Sequence, residues 1–390
     1  MTRIRPVGRG LGFLDGRYAF TIFDAIVAPS GGDYTDIESA INGGATSIFV
    51  RDGTYTLTAD INVDVDGITI VGETKSGVII NCGTNSILVT ADNCSISNLE
   101  LRTGTDAVNG VISLGVTSSE IIYCVIDNVI FNNNDRNIVI NAASASKITN
   151  CNFIVWGGVA SEAYVLIPSG NGNYLFNSEI VNNYFTAGPA IRFVGGTTES
   201  NKVLIANNVI EGLPPNNENL IFIQNSDRVS ISNNLMVISG LTVASLTSAI
   251  TVDTNCTQII INNNNINNSG NNLIFEDAIR LNSGSCIISG NIIIGGNYGI
   301  TINDVNQNMI SGNFIDSVNN DGIIVGWTTG NADNNVIANN IIVNCGQWGI
   351  DIWDATAQSN IITANILLNN TSGAFTNSGT NTQLGLNVTS

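Results

Sequence analysis

Carboxylate and aromatic side chains occur together in the last third of the chain. Asp304, Trp327 and Asp354 lie at equivalent places in three successive repeats of the sequence, with the indole between the two carboxyl groups. If the repeats stack as neighbouring strands, the two carboxylates are roughly 10 Å apart in backbone, and side-chain reach could bring them to the ~6.5–9.5 Å separation of an inverting glycosidase pair. Asp304 and Asp354 are therefore candidate catalytic acids.

A second group of acidic and aromatic residues precedes the strands of the same repeats. Glu276 and Asp277 lie two repeats before Asp321, and all three are further candidate catalytic residues. Aromatic faces beside carboxylates suit stacking on sugar rings and hydrogen bonding to hydroxyl groups. The predicted substrate-binding residues are Trp327, Trp348, Trp353, Tyr298, Arg280 and Asp351. Asp also favours turns, because its side chain bonds nearby backbone, so each Asp could instead be a turn former.

The outward positions of the repeated Gly-Ile-x-Ile strands should form one column on the surface. This column reads Arg192, Phe222, Thr251, Arg280, Thr301, Ile324 and Asp351. It mixes charged and apolar residues and contains no concentrated catalytic triad.

The sequence predicts no cofactor. Its seven cysteines are odd in number and widely spread, without Cys-x-x-Cys spacing, which favours buried thiols over disulfides or a zinc site. Two stacked Asp residues could bind Ca²⁺, but no Asp-x-Asp-x-Asp-Gly spacing supports such a site.

These candidates lie on a repeat of about 27 residues. Segments such as "IVNNYF" (180), "IANNVI" (205), "ISGNFI" (310) and "IANNII" (337) recur along the chain, and the later ones follow blocks such as "YGITI", "DGIIV" and "WGIDI". Apolar residues alternate within each block, which is the pattern of a strand with one buried face. Such a unit buries its apolar face only by stacking on its neighbours, so the chain should form a solenoid of parallel strands.

Asparagine is the strongest anomaly of the composition, with 60 of 390 residues. A buried amide without a partner costs a few kcal/mol, so stacked Asn residues should bond one another in an internal ladder. The predicted ladder is broken at Leu99 and Cys151 and contains Asn128, Asn183, Asn208, Asn234, Asn264, Asn291, Asn313, Asn340 and Asn365.

The charge of the chain limits its partners. Its net charge is −18 and it has no histidine, so binding to nucleic acid is not expected. Asp15 and Arg17 interrupt any apolar stretch long enough for a signal peptide, and no run of 18 apolar residues predicts a membrane span. As written, the chain is expected to fold in the cytoplasm unless a leader has been removed.

The repeats and the opening "SGGDYTDIESAINGGATSIFVRDGTY" (30–55) resemble the pectin-lyase-like superfamily, and the later repeats are similar to the NosD-type repeat. The resemblance implies an all-β fold, a single-stranded right-handed parallel β-helix of about 12 coils, with a short capping helix at about 34–41 before the first strand, "SIFV". The predicted organisation is a basic arm over 1–29, the β-helix over 30–376 and a C-terminal cap or tail over 377–390.

The fold hosts many functions, so three hypotheses stay open. The Gly-His-Gly motif of polygalacturonase-type hydrolases and the pectate-lyase "WiDH" motif are both missing. The favoured hypothesis is a carbohydrate-binding phage or virus tailspike- or fibre-like receptor-binding protein. It would be a homotrimer on a virion or cell surface, docked through residues 1–29 and binding a polysaccharide. The alternatives are a polysaccharide lyase or glycoside hydrolase, and a structural or adhesive surface protein.

Overall fold

A computed structural model describes residues 23–103, 110–116, 119–132, 136–154, 163–170, 172–186, 188–195, 200–212, 219–238, 246–268, 275–327 and 330–389. Within them the strands form four parallel sheets of 15, 14, 13 and six strands, and each coil of the chain contributes a strand to each long sheet in turn. The predicted right-handed parallel β-helix of about 12 coils is confirmed.

Short strands of mostly three or four residues build each sheet. The 15-stranded sheet contains Ala25–Val27, Ser47–Val50, Thr69–Gly72, Ser95–Ser97, Val125–Asp127, Lys147–Thr149, Glu179–Val181, Leu204–Ala206, Ser230–Ser232, Ile260–Asn262, Ile287–Ser289, Met309–Ser311, Val336–Ala338, Ile361–Thr363 and Gln383–Leu384. The 14-stranded sheet contains Gly53–Thr56, Val78–Gly83, Glu100–Thr103, Ile130–Asn132, Asn152–Ile154, Tyr184–Thr186, Val209–Glu211, Leu235–Val237, Asn265–Asn267, Ile292–Ile294, Phe314–Asp316, Ile341–Val343, Ile366–Leu368 and Val388–Thr389.

The other two sheets complete the coils. The 13-stranded sheet contains Ile61–Val63, Ile87–Val89, Ile112–Leu114, Ile138–Ile140, Val165–Ile167, Ile191–Phe193, Ile221–Ile223, Leu246–Val252, Phe275–Leu281, Tyr298–Ile302, Ile323–Val325, Trp348–Ile352 and Gly373–Asn377. The six-stranded sheet contains Ile121–Ile122, Ala142–Ser144, Tyr174–Phe176, Ser200–Asn201, Ser226–Asp227 and Cys256–Thr257.

The two ends of the rod extend beyond the predicted boundaries. The strand Ala25–Val27 pairs with Ser47–Val50, so the rod begins before residue 30. Gln383–Leu384 and Val388–Thr389 continue the 15- and 14-stranded sheets beyond residue 376. Neither segment has a complete Ile-x-x-Asn motif, so the repeat pattern alone did not predict that they belong to the rod. Residues 1–22 of the predicted basic arm lie outside the described residues.

The predicted capping helix is confirmed over Ile37–Asn42. Asp36 precedes it, and the Asp36 carboxylate accepts a 2.7 Å hydrogen bond from the Ser39 backbone N–H, as an N-cap residue does. Ile37 and Ile41 are buried against the first coils. The helix is too short to cross a membrane, and none elsewhere in the described part of the chain is long and apolar enough to do so.

Isoleucine and phenylalanine fill the interior of the rod. Ile288, Ile293 and Ile300 are fully buried, and each such side chain contributes about 1.5–3 kcal/mol by leaving water. The rings of Phe131, Phe153 and Phe185 stack in successive coils with centroid distances of 4.7 and 4.6 Å. All seven cysteines are buried, which confirms the prediction of buried thiols.

The asparagine ladder runs inside the turn between the 15- and 14-stranded sheets. Each Nδ2 before the last, Asn387, donates to the Oδ1 of the next coil at 2.9–3.1 Å, and every Nδ2 donates to a backbone carbonyl of the coil before. The ladder starts after Leu99 and Cys151, which are buried in the same column as predicted. Its members are Asn183, Asn208, Asn234, Asn264, Asn291, Asn313, Asn340, Asn365 and Asn387.

The prediction that Asn128 belongs to this ladder is wrong. Ile126 pairs with Ile96 and Ile148, so the ladder position of this coil is Val129. Asn128 lies one residue earlier, at the corner of the turn, with a φ of 54°. Asn tolerates this left-handed conformation better than most residues, which explains its presence there.

Candidate functional site

The predicted site residues of the last coils lie mostly on the outer face of the 13-stranded sheet. We call the following set the aromatic–acidic face: Glu276, Asp277, Arg280, Tyr298, Thr301, Asp321, Trp327, Trp348, Asp351 and Trp353. Most of the face is built from two parallel columns of residues, and Glu276, Trp327 and Trp353 lie next to them in sequence.

The first column is the predicted outward column of the strands. The observed register pairs Thr251 with Arg280, Arg280 with Thr301, Thr301 with Ile324, and Ile324 with Asp351, as the sequence predicts. Neighbouring strands of a sheet are about 4.8 Å apart, so successive residues of the column lie side by side.

The second column lies three residues earlier in each strand. It contains Asp277, Tyr298, Asp321 and Trp348. Asp277 is paired with Tyr298. The pairs that follow in the same coils place Tyr298 beside Asp321 and Asp321 beside Trp348. A small residue follows each member. A Cβ at Gly322 would overlap the Ile342 side chain and lie 2.7 Å from the Gly349 carbonyl oxygen, so glycine brings the backbone inward there. The preceding side chain is then left on the outer side.

Three aromatic rings form a contiguous surface over these columns. The Tyr298 and Trp327 ring centroids are 5.0 Å apart, and those of Trp327 and Trp353 are 5.9 Å apart. Trp353 is 57% exposed, whereas Tyr298 and Trp327 are half-buried. Trp348 lies apart from this cluster and packs against Gly373 in the next coil, where a Cβ would be 2.7 Å from the indole. An exposed indole beside two half-buried rings is an apolar platform open to a ligand.

Asp277 is buried and held by several donors. Arg280 contacts the Asp277 carboxylate at 2.5 Å and the Glu276 carboxylate at 2.9 Å. The Thr301 hydroxyl also donates to Asp277, and the Ser248 hydroxyl lies 3.3 Å from it. Burial raises the pKa of Asp277 to about 6, against the opposing effect of Arg280. Asp277 is therefore mainly ionised at neutral pH, where it is the partner of Arg280. Burial would lower the pKa of Arg280, but the carboxylates of Asp277 and Glu276 raise it.

Asp321 and Asp351 form a second acidic pair without such compensation. Asp321 lies in the column of Asp277, and Asp351 lies in the column of Thr301, each two coils further along the rod. The two aspartates are therefore diagonal neighbours in adjacent coils, as Asp277 and Thr301 are. Both are buried, at 2% and 4% exposure. The Trp348 backbone N–H donates to Asp321 at 2.8 Å, whereas no group of the described residues hydrogen-bonds to the Asp351 carboxyl group.

The pKa values of this pair follow from burial and mutual repulsion. Burial, and secondarily the charge of Asp321, raises the pKa of Asp351 to about 7. Burial also raises the pKa of Asp321. A carboxyl group with a raised pKa beside a second carboxyl group is the arrangement of an acid next to a base.

The Tyr298 hydroxyl group lies among these acids. Burial raises the pKa of Tyr298 to about 12, and Asp321, Asp277 and Glu276 add to the effect. Tyr298 is therefore a neutral hydrogen-bonding group between the two acidic pairs at any physiological pH.

Asp304 and Asp354 lie outside this cluster, at the turns that follow the strands. The Asp354 carboxylate accepts hydrogen bonds from the backbone N–H of Thr356 at 2.8 Å and of Gly330 at 2.9 Å. The first of these contributes most to lowering the pKa of Asp354. Asp304 is exposed, and its side chain packs against Gly330. These contacts favour the turn-forming role over a proton-donating one.

Two residues of the site were not singled out from the sequence. Ser248 and Thr301 hold Asp277, and Thr301 is fully buried although it lies on the outer side of the strand. The alignment of the repeats could have indicated both residues, because Ser248 is paired with Asp277 and Thr301 is diagonal to it. Hydroxyl residues are so common in outward strand positions that this signal is weak without the structure.

Comparison with known proteins identifies the architecture. Residues 198–389, just under half of the chain, match the family model described as "Periplasmic copper-binding protein (NosD)". No curated protein sequence is significantly similar to the chain. The four parallel sheets define a β-solenoid protein. The chain folds as a right-handed parallel β-helix, the architecture of that family and of the solved structures described next.

Solved structures with the same fold differ in what they do. The catalytic domain of Agl-KA has a TM-score of 0.56 and 14% identity, over 89% of this chain and 64% of that domain. The PL6 family alginate lyase AlyGC has a TM-score of 0.54 and 17% identity, over 81% of this chain and 48% of that one. PfbA, a surface adhesin of Streptococcus pneumoniae, has a TM-score of 0.51 and 15% identity, over 74% of this chain and 86% of that one. At these identities the likeness shows the fold alone.

The residues of this chain do not fit a copper site. Copper in proteins is bound mainly by His, Cys and Met. The chain has no His and three Met, and its seven Cys are buried. Over the described ranges, no three His, Cys, Asp or Glu residues are grouped so as to hold a metal ion. We therefore derive no chemistry through copper.

Proposed function

We propose that this protein binds a glycan at the aromatic–acidic face and acts at a cell surface or outside the cell. The observation that carries the proposal is the contiguous surface of Tyr298, Trp327 and Trp353 next to two pairs of carboxyl groups. Rings of this kind stack on the apolar faces of sugars, and the acids bond hydroxyl groups. The likeness in fold to an alginate lyase supports a role with glycans, and the likeness to a surface adhesin supports the location.

Binding should depend on the exposed indole. Aromatic anchors of an interface contribute about 2 kcal/mol, which is roughly thirtyfold in Kd. Titration calorimetry with a panel of oligosaccharides should therefore give a Kd that rises about thirtyfold in Trp353→Ala. The control is Tyr123→Ala, because Tyr123 is equally exposed, at 58%, but lies many coils away. Equal losses in the two variants, or no binding by the wild type to any oligosaccharide, would contradict the proposal.

Hydrolysis of the bound glycan is a second candidate function, favoured by the Asp321 and Asp351 pair. Asp351, with its pKa raised to about 7, would donate a proton to the glycosidic oxygen as the glycosidic bond breaks, while the carboxylate of Asp321 would take a proton from the water that bonds to the anomeric carbon. Incubation with the panel should then yield products that disappear in Asp351→Asn, while binding persists. Product formation that survives this substitution would sink this assignment.

A tailspike- or fibre-type receptor-binding protein is the most specific form of the proposal. It predicts a homotrimer, docked to a virion through residues 1–29. Analytical ultracentrifugation of the full chain tests it, because a monomer at micromolar concentration would contradict it. A monomer that still binds glycans would instead favour an adhesive surface protein.

A further inference from the structure

The charges of the C-terminal half restrict which glycans can occupy the face. After Arg228 the chain contains nine acidic residues and a single basic one, Arg280, so residues 229–390 carry a formal charge of 1 − 9 = −8. We propose, building on the glycan-binding function above, that the aromatic–acidic face binds glycans without negative charge, that is neutral or amino sugars, and rejects polyuronates such as alginate.

Arg280 is not available to neutralise an anionic ligand. Its guanidinium group is bound to Asp277 at 2.5 Å and to Glu276 at 2.9 Å, and only 18% of its side chain is exposed. Two carboxylates already exceed its single charge. A uronate that approached this arginine would have to displace one of them and leave the displaced carboxylate without a partner.

The second acidic pair points to the kind of group that the ligand must supply. Asp351 is 4% exposed and lies beside the carboxyl group of Asp321. Two neighbouring carboxyl groups present several acceptor oxygens, so they suit a ligand that donates hydrogen bonds. Sugar hydroxyl, acetamido and ammonium groups are donors, whereas a uronate carboxylate is only an acceptor.

The rings next to the pair accept the same ligands. The faces of Tyr298, Trp327 and Trp353 are electron-rich, so they attract apolar C–H faces and cations. The ring faces do not attract a carboxylate. The carboxyl groups and the rings therefore both favour ligands without negative charge. Asp321 and Asp351 are the predicted specificity-determining residues.

The test uses three hexasaccharides of equal length: N-acetylglucosamine hexamer (neutral), glucosamine hexamer (cationic) and galacturonic acid hexamer (anionic). Titration calorimetry should give a Kd at least tenfold lower for the neutral or the cationic hexamer than for the anionic one. In Asp351→Asn this preference should fall at least fivefold. It should be unchanged in Asp64→Asn, which removes the same charge from an exposed site in an early coil.

Two outcomes separate this inference from the proposed function. If the anionic hexamer binds best, and Trp353→Ala abolishes that binding, the charge inference is overturned while glycan binding at the face stands. If none of the three hexamers nor any other glycan binds in a Trp353-dependent way, glycan binding at the face is overturned, and the inference falls with it.

Discussion

Replacing Asp351 with Asn should stabilise the fold at neutral and alkaline pH. Asp351 is buried, it has no hydrogen-bond partner among the described residues, and Asp321 is the charged group that faces it. Burial and this like charge raise its pKa from 3.8 to about 7. The native protein therefore pays in stability for keeping an ionisable group in this position, as proteins do at functional sites.

The sign and size of the effect follow from the pKa. Because the folded chain holds the Asp351 proton more tightly than the unfolded chain, the contribution of Asp351 to stability is highest below about pH 4 and falls as the pH rises to about 7. The largest loss of stability that this shift can cause is ~4 kcal/mol, at about 1.4 kcal/mol for each pKa unit. Asn also leaves a polar group unpaired, so we expect a gain of about 2 kcal/mol at pH 8 and almost none at pH 4.

Urea denaturation at pH 4, 6 and 8, followed by circular dichroism, measures this difference. The midpoint of Asp351→Asn should exceed that of the wild type progressively as the pH rises. The matched control is Asp64→Asn, which alters an exposed carboxylate and should show no such trend. If Asp351→Asn were less stable than the wild type at pH 8, or its difference did not depend on pH, Asp351 would not be a desolvated acid.

Two further predictions concern the ladder and the turn. Asn291→Leu should lower the free energy of unfolding by about 3 kcal/mol, because it leaves the Asn264 backbone N–H and Nδ2 without their acceptor. The control Asn62→Leu, at an outward strand position, should change the free energy of unfolding little. Equal urea midpoints for the two variants would contradict the role of the ladder. Asp354→Asn should leave the Kd for any bound glycan within twofold, because Asp354 bonds the backbone of its turn; a loss as large as that of Trp353→Ala would return Asp354 to the site.

Much of the fold was predictable because the repeat fixes the register of a solenoid. Once equivalent residues are aligned, each must pair with the next, so the column through Arg280, Thr301, Ile324 and Asp351 followed from spacing alone. Asn128 shows the limit of this reasoning. "VIDNVI" aligns equally well from its valine or its isoleucine, and a shift of one residue moves every side chain to the other face.

The site was predictable only in part, because its contacts run diagonally across coils. The sequence brought Asp277, Tyr298, Asp321 and Trp348 into one register, but not the proximity of Asp321 to Asp351. Gly322, which follows Asp321, has no room for a Cβ beside Ile342, and such close packing between coils is not visible in the spacing of the repeats. Equal turn positions conversely made Asp304 and Asp354 look like a catalytic pair, although backbone amides already occupy the Asp354 carboxylate.

A crystal structure with a bound oligosaccharide tests the central claim most directly. Crystals soaked with the N-acetylglucosamine hexamer, or with the tightest ligand of the panel, should contain sugar rings stacked about 4 Å from the indoles of Trp327 and Trp353. A donor group of the sugar should lie within hydrogen-bonding distance of Asp351. Sugar bound only elsewhere on the rod, with the aromatic–acidic face empty at a saturating concentration, would contradict the assignment of this face as the binding site.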